Sequence, residues 1–154
     1  MVQLIDKALL LRRSEHNDKN LTTLREISLH QFDIPAISKA LYTYCKSLEI
    51  LYLQANQIKN IENVGRLKAL NYLQLSLNNI EHIGSDIRGC ESLEKLDLTM
   101  NFVKDLDSLK YLRILSFSAS STLLGTLAAK LKDIANMSSS CCRRLLYFLV
   151  ANYV

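Results

Sequence analysis

The sequence has little of several residue types that would mark a special class of protein. It contains no tryptophan, one proline and four glycines among 154 residues, which excludes collagen-like chains and glycine- or proline-rich low-complexity chains. Hydrophobic residues make up 49% and charged residues 22%, values that are ordinary for a globular protein and exclude wholesale disorder. The length allows one domain, or one domain with a tail, but not two full cores.

Long apolar runs and blocks of charge are also missing. The longest apolar stretch, residues 145–154, is about half the length of a transmembrane helix, so we expect no membrane span. No basic run exceeds a pair and the net charge is only +4, so composition gives no reason to expect nucleic acid as a partner. Asp6 and Lys7 interrupt the first apolar run, which argues against a secretory signal. We therefore expect a cytoplasmic protein whose four cysteines are thiols.

The middle of the chain is built from an internal repeat. Four segments share the spacing Leu-x-x-(Leu or Ile)-x-Leu, and their starts are 24, 22 and 23 residues apart: Leu24, Leu48, Leu70 and Leu93. In the last three units an asparagine follows eight residues after the start, at Asn56, Asn78 and Asn101. This recurrence is the signature of a leucine-rich repeat in its short variant of about 22 residues.

The repeat predicts an α/β solenoid. The last two apolar residues of each unit alternate as in a strand, so both point to one side while the residue between them points away. One unit cannot bury its apolar side chains alone, but stacked units bury them in a continuous core. The asparagine amide has donors and an acceptor that can pair with backbone groups of the turn, so we predict a structural asparagine ladder along the stack. The parallel strands should lie on the concave face.

The ends of the stack depart from the repeat pattern. Gln3 to Glu15 predicts a helix with Leu4, Ala8 and Leu11 on one face, and we expect residues 1–20 to form an N-terminal helical cap. Residues 21–112 should form about four repeats, the first of which has Phe32 where the ladder has asparagine in the others. Terminal repeats are usually atypical because only one side has a neighbour.

The side chains between and just after the strand leucines should form the binding face. Solenoids use this concave surface for partners, and tyrosine is enriched at binding hot spots. We predict partner contact centred on Tyr52 and Tyr72, with Gln54, Gln74 and Asp97 in the same patch. The alternative is a solvated face without a partner.

Candidate catalytic and metal-binding residues are few. The histidines, His16, His30 and His82, fall in different units without ligand spacing, and the sequence has no phosphate-binding or nucleophile motif. Cys45 and Cys90 occupy the same place two repeats apart, roughly 9–10 Å along the stack, which is too far for a disulfide. We expect packed thiols there, and no enzymatic activity, metal or cofactor.

Several segments resemble one family of repeat proteins. Ser14-Glu15-His16-Asn17-Asp18, Leu24 to Gln31 (Leu-Arg-Glu-Ile-Ser-Leu-His-Gln) and Leu48 to Gln54 (Leu-Glu-Ile-Leu-Tyr-Leu-Gln) look like the tilB/seahorse proteins, which have SDS22-like leucine-rich repeats. The first two segments are the specific part, because the repeat skeleton alone fits many proteins. The resemblance covers roughly residues 3–112.

The resemblance implies a function as well as a fold. Members of the family are axonemal dynein assembly factors, so it implies a non-enzymatic scaffold in the cytoplasmic preassembly of dynein arms for motile cilia and flagella. The implied partners are dynein-arm subunits and chaperone or co-chaperone assembly factors, and the implied location is the cytoplasm or the cilium. Two alternatives share the repeat skeleton: a phosphatase-regulatory protein like SDS22 itself, and a ribonucleoprotein subunit.

Residues 113–154 form an atypical tail in which the repeat pattern stops. Leu112-x-x-Leu115-x-Phe117 arrives only 19 residues after Leu93, and Ser120 stands where asparagine belongs. In the family, a Thr-Gly-Asn-Pro-Cys turn and a Gly-Tyr-Arg-Glu-Tyr-Val-Val segment follow. The codons of the tail, read in a shifted frame, permit both motifs at the family's spacing. We therefore hypothesise an out-of-frame translation that begins between Leu112 and Phe117; the alternative is a genuine divergent tail.

Overall fold

The computed structural model describes residues 2–103 and residue 111. The predicted tail and its reading-frame hypothesis lie outside the described residues. Within them, no helix is both long and apolar enough to span a membrane.

The regular elements are short and alternate along the chain. In order they are helix α1 (Lys7–Arg13), a 3₁₀ turn (Glu15–Asn17), β1 (Glu26–Ser28), α2 (Ala40–Tyr44), β2 (Ile50–Tyr52), β3 (Asn60–Ile61), β4 (Tyr72–Gln74), β5 (His82–Ile83), a second 3₁₀ turn (Ser85–Gly89) and β6 (Lys95–Asp97). Each repeat therefore contributes one three-residue strand and a return segment that contains short helical or extended pieces.

The strands of successive repeats pair in parallel and confirm the predicted fold class. The main sheet has the order β1-β2-β4-β6, and the returning segments add a small parallel sheet of β3 and β5. The register places Ile27, Leu51, Leu73 and Leu96 opposite one another. Each strand begins two residues after the first leucine of its repeat, so the repeat spacing alone determines the pairing.

The core lies between the main sheet and the return segments. The central residue of every main strand is buried, and the return segments supply a second set of buried side chains, including Ile61, Val64 and Leu67, each 0% exposed. Each buried leucine or isoleucine contributes about 1.5–3 kcal/mol before the entropy of ordering the chain is subtracted. The repeats thus share one continuous apolar core.

Helix α1 differs from the predicted cap helix in length and in orientation. It begins only at Lys7, because Asp6 has extended backbone angles and its side chain accepts a hydrogen bond from Leu9 N at 2.8 Å. Leu4 therefore lies before the helix, and the side of the helix that faces the core cannot be counted from it. Leu9 and Leu10 are buried, whereas Leu4 and Ala8 are exposed, so the predicted apolar face was wrong.

A left-handed residue closes each strand. The backbone φ angle is positive immediately before the ladder position in every repeat, at Gln31 (60°), Ala55 (56°), Leu77 (56°) and Met100 (56°). This conformation costs roughly 1–2 kcal/mol for a residue other than glycine. The neighbouring repeat fixes it, since Ala55 N and Leu77 N donate to carbonyls of the next coil at 3.0 Å.

Candidate protein-binding face of the main sheet

The solvent-facing side chains of the main sheet form three parallel columns, which we call the sheet face. The first column is Glu26, Ile50, Tyr72 and Lys95, the second is Ser28, Tyr52, Gln74 and Asp97, and the third, two residues further on, is His30, Gln54, Ser76 and Thr99. All five residues predicted to bind a partner lie on this face. The structure brings them together around the centre of strands β2 and β4.

Tyr52 and Tyr72 form an aromatic pair at the centre of the sheet face. Their ring centroids are 5.8 Å apart and the rings are inclined by 83°, an edge-to-face geometry. The two side chains are diagonal neighbours, because Tyr52 lies opposite Gln74 and Tyr72 lies opposite Ile50. Both rings are half-buried, so each keeps an apolar edge and a hydroxyl group for a partner.

Gln54 and Gln74 each present an amide oxygen without a donor. Both oxygens are buried from solvent, and neither has a hydrogen-bond partner in the part of the chain that the structure describes. Buried acceptors are paired in most proteins, since an unpaired one costs about 1–3 kcal/mol. A partner that offers N–H or O–H groups would recover this free energy once the glutamine side chains rotate to expose their oxygens.

The acidic side of the patch is formed by Asp97. One carboxylate oxygen accepts hydrogen bonds from Thr99 N at 2.8 Å and from the Thr99 hydroxyl group, which fixes the side chain. Burial, followed by the charge of Asp97 and by Tyr52, raises the pKa of Tyr72 above its ordinary value. The phenol therefore stays neutral at physiological pH and keeps its hydrogen-bond donor.

The histidines lie in local contacts. His30 Nδ1 and Ser28 Oγ are 2.6 Å apart, and His16 Nε2 lies 3.2 Å from the carbonyl oxygen of Glu26. Among the described residues, no three histidine, cysteine, aspartate or glutamate side chains are grouped so that they could hold a metal ion.

The three ladder asparagines link neighbouring coils through buried hydrogen bonds. Asn78 Oδ1 accepts from Ile58 N at 3.0 Å, while its amide group donates to Leu53 O at 2.9 Å and Leu75 O at 3.1 Å. Asn56 and Asn101 repeat this arrangement one coil earlier and one coil later. The ladder holds the turns that follow the strands and so positions the end of each sheet-face column.

Cys45 and Cys90 are buried free thiols. Burial raises the pKa of Cys45 to about 11. Burial, and then the charge of Asp86, raises the pKa of Cys90 to about 12. Cys90 Sγ also donates to Val64 O at 3.2 Å. Both residues therefore belong to the packed core.

A fourth column, on the return segments, was missed by the sequence reasoning. Eighteen residues after the first leucine of each repeat stand Tyr42, Arg66, Arg88 and Tyr111, which we call the Tyr–Arg stripe. Arg66 lies over the ring of Tyr42 at 5.1 Å and Arg88 over the ring of Tyr111 at 5.2 Å. Tabulating every position of the repeat, and not only the strand positions, would have found it.

Comparison with a family model and with solved structures identifies the class of protein to which the chain belongs. A family model described as "Leucine rich repeat" matches residues 47–103. A leucine-rich-repeat protein of Leptospira interrogans superposes with a TM-score of 0.54 at 25% identity, covering 62% of this chain and 25% of that one. The functional domain of InlJ from Listeria monocytogenes has the same fold, with a TM-score of 0.50 at 19% identity over 65% of this chain and 21% of its own. The chain is thus a leucine-rich-repeat protein.

Curated relatives define the family more narrowly. Dynein axonemal assembly factor 11 of Mus musculus is 50% identical over 108 residues, which are 70% of this chain and 22% of that protein. The protein of the same name from Trypanosoma brucei brucei is 46% identical over 109 residues, 71% of this chain and 28% of the relative. Protein tilB of Drosophila melanogaster is 48% identical over 74 residues, 48% of this chain and 18% of its own length. The chain is a tilB-type leucine-rich-repeat protein, and it spans between 18% and 28% of the length of these relatives.

Proposed function

We propose that the chain is a non-enzymatic protein-binding scaffold in the assembly of axonemal dynein. The observation that carries this proposal is the identity of about half of the 108 or 109 aligned residues to proteins named dynein axonemal assembly factor 11, from organisms as distant as mouse and trypanosome. Neither a phosphatase-regulatory nor a ribonucleoprotein function is named for these relatives. The tyrosine pair at the centre of the sheet face supports a binding role.

The proposed place of action is the cytoplasm, before dynein arms enter the cilium or flagellum. The proposed partners are dynein-arm subunits and the chaperone or co-chaperone factors that fold them. A scaffold for such clients needs a surface that contacts another chain without modifying it. Expression confined to ciliated cells and testis would accompany this role, whereas phosphatase-regulatory and ribonucleoprotein functions would be accompanied by ubiquitous expression.

The sheet face is the proposed contact surface. Tyr52 and Tyr72 supply rigid aromatic area with hydroxyl groups at the rim, which is the composition of an interface hot spot. The amide groups of Gln54 and Gln74 lie in the same patch, and rotation of these side chains on binding would let their buried, unpaired oxygens accept donors from the partner. Asp97 adds one negative charge beside them, so a partner segment with amide donors and a basic side chain fits this face.

The test is capture of dynein subunits by the tagged full chain from ciliated cells, with mass spectrometry of the recovered proteins. Axonemal dynein chains should be recovered with the unmodified chain. Tyr52→Ala with Tyr72→Ala should reduce their recovery about tenfold or more, because loss of a hot-spot side chain costs about 2 kcal/mol. Tyr52→Phe with Tyr72→Phe keeps the ring packing and should retain most of the capture.

The matched control is Lys59→Ala with Asn79→Ala, two exposed positions away from the sheet face. Both double alanine variants should remain folded, and the tyrosine double variant should melt lower than the control because it loses the contact between two half-buried rings. If no axonemal dynein chain is recovered with the unmodified protein, the proposed function is wrong. If recovery survives the tyrosine replacements but is lost in the control, the function stands and the face is wrong.

A further inference from the structure

The Tyr–Arg stripe lies across the core from the sheet face. Its members project from the return segments, whose inner side chains pack against the leucines of the main sheet. Tyr42 is in α2 and Arg88 is in the second 3₁₀ turn, so the same repeat position places one member on each of four coils. With coils about 4.8 Å apart, the stripe is about 14 Å long.

The two arginines project from coils that touch each other. A Cβ atom on Gly89 would lie only 2.4 Å from the carbonyl oxygen of Gly65, so glycine at these positions lets the backbones come into contact beside Arg66 and Arg88. Each guanidinium nevertheless lies over an aromatic ring on the far side from the other arginine. This arrangement separates two like charges and holds each of them against a rigid flat surface.

Neither guanidinium is neutralised by a carboxylate among the described residues. Arg88 Nε donates only to the carbonyl oxygen of Ser85, at 3.3 Å. The acid nearest to Arg88 along the chain, Asp86, is held by the backbone of the preceding coil: its Oδ2 accepts from Val64 N at 2.8 Å and Gly65 N at 3.0 Å, so it keeps its charge but forms no ion pair with either arginine. Glu91 lies 2.7 Å from Lys68 Nζ, and that hydrogen bond lowers the pKa of Glu91. Arg66 and Arg88 are both exposed, so two full positive charges face solvent.

We propose that the Tyr–Arg stripe is a second docking site, for an extended acidic segment of a partner protein. Arginine presents a planar fork of donors that matches a carboxylate with two hydrogen bonds, and stacking on an aromatic ring pre-orients that fork. A segment of about four extended residues spans the stripe at 3.3 Å per residue. Its carboxylates pair with Arg66 and Arg88, while its apolar atoms lie against Tyr42 and Tyr111.

The number of charges favours a protein segment over other polyanions. Anionic membranes are usually recognised by clusters of four to eight basic residues, and duplex nucleic acid by six to ten phosphate contacts. Within residues 2–103, neither arginine has a carboxylate partner, so the stripe offers two positive charges, which suits two carboxylates. This site does not depend on the proposed role of the sheet face, from which it is separated by the core.

The experiment measures binding of a fluorescein-labelled decaglutamate peptide to the full chain by fluorescence anisotropy. Arg66→Gln with Arg88→Gln should weaken binding at least tenfold, and Arg66→Gln alone about threefold. The matched control, Arg12→Gln with Lys59→Gln, removes two exposed positive charges elsewhere and should change the affinity less than twofold. Arg66→Lys with Arg88→Lys keeps the charge but removes the fork, and should weaken binding severalfold.

Thermal melting checks that each variant is folded, and the single Arg66→Gln variant carries the test if the double variant does not fold. Tyr52→Ala with Tyr72→Ala should leave decaglutamate binding unchanged, which separates this site from the sheet face. The proposal is overturned if the peptide does not bind, or if both charge-removing doubles weaken binding equally. It is also overturned if the arginine replacements abolish binding to phosphatidylserine vesicles but not to the peptide.

Discussion

Replacement of Asn56 or Asn78 by alanine tests how the asparagine ladder distributes its hydrogen bonds. Asn78→Ala removes the acceptor of Ile58 N, which has no other acceptor among the described residues. The carbonyl groups that Asn78 serves keep a second donor, because Leu53 O also accepts from Asn56 at 2.9 Å and Leu75 O from Asn101 at 2.8 Å. One buried N–H group is left unpaired, so we expect a loss of about 2 kcal/mol in the free energy of unfolding.

Asn56→Ala should cost about twice as much. Its Oδ1 atom accepts from Phe32 N at 3.1 Å and from Ile34 N at 3.0 Å, so two N–H groups lose their acceptor. Its amide group also donates to Leu29 O at 2.8 Å, and there is no asparagine one coil earlier to replace that donor, because Phe32 occupies the ladder position. We expect a loss of about 4 kcal/mol.

Urea denaturation followed by circular dichroism measures both losses by linear extrapolation. Asn79→Ala is the matched control, since that side chain is exposed beside the ladder, and it should change the free energy of unfolding by less than about 0.5 kcal/mol. Equal losses for the two ladder variants, or a larger loss for Asn78→Ala, would refute the shared-acceptor reasoning.

Two further predictions concern the thiols and the tail. At pH 8 a thiol of pKa about 11 is ionised roughly one part in a thousand, and only the thiolate reacts. Iodoacetamide should therefore spare Cys45 and Cys90 in the native chain and modify both in urea, which peptide mass spectrometry measures. Rapid labelling of the native chain would contradict their burial. Sequencing of the transcript should reveal a frameshift, a splicing error or a wrong gene model that begins between the codons of Leu112 and Phe117, whereas an uninterrupted frame without the shifted family motifs would end the out-of-frame hypothesis.

The strand pairing and the ladder could be predicted because each depends on one residue type that recurs at one spacing. Leu51 is buried because its repeat position faces the core, and Asn78 forms hydrogen bonds with the preceding coil because its repeat position lies in the stacked turn. The start of α1 could not be read in the same way. Two local interactions compete there, and capping by Asp6 overrides the apolar pattern that begins at Leu4.

The geometry of the candidate site was only partly predictable. The sequence indicated that Tyr52 and Tyr72 share a face, but their contact depends on the position that each tyrosine occupies within its repeat. Tyr52 stands four residues after its repeat's first leucine and Tyr72 only two, so the rings meet diagonally and edge to face. The unpaired oxygens of Gln54 and Gln74 depend on how neighbouring side chains cover them, which no spacing determines.

Inner and outer positions of the repeat have different roles, so the two proposed surfaces can be tested separately from folding. The inner positions, such as Leu73 and Asn78, carry the core and the ladder and are 0% and 2% exposed. The outer positions of the same coils, such as Gln74 on one side and Arg88 on the other, lie outside the apolar core. Exposed substitutions away from such core features usually change stability by less than about 0.5 kcal/mol. Loss of binding by a sheet-face or stripe variant that remains folded therefore reports on recognition, whereas a variant that no longer folds reports on the core.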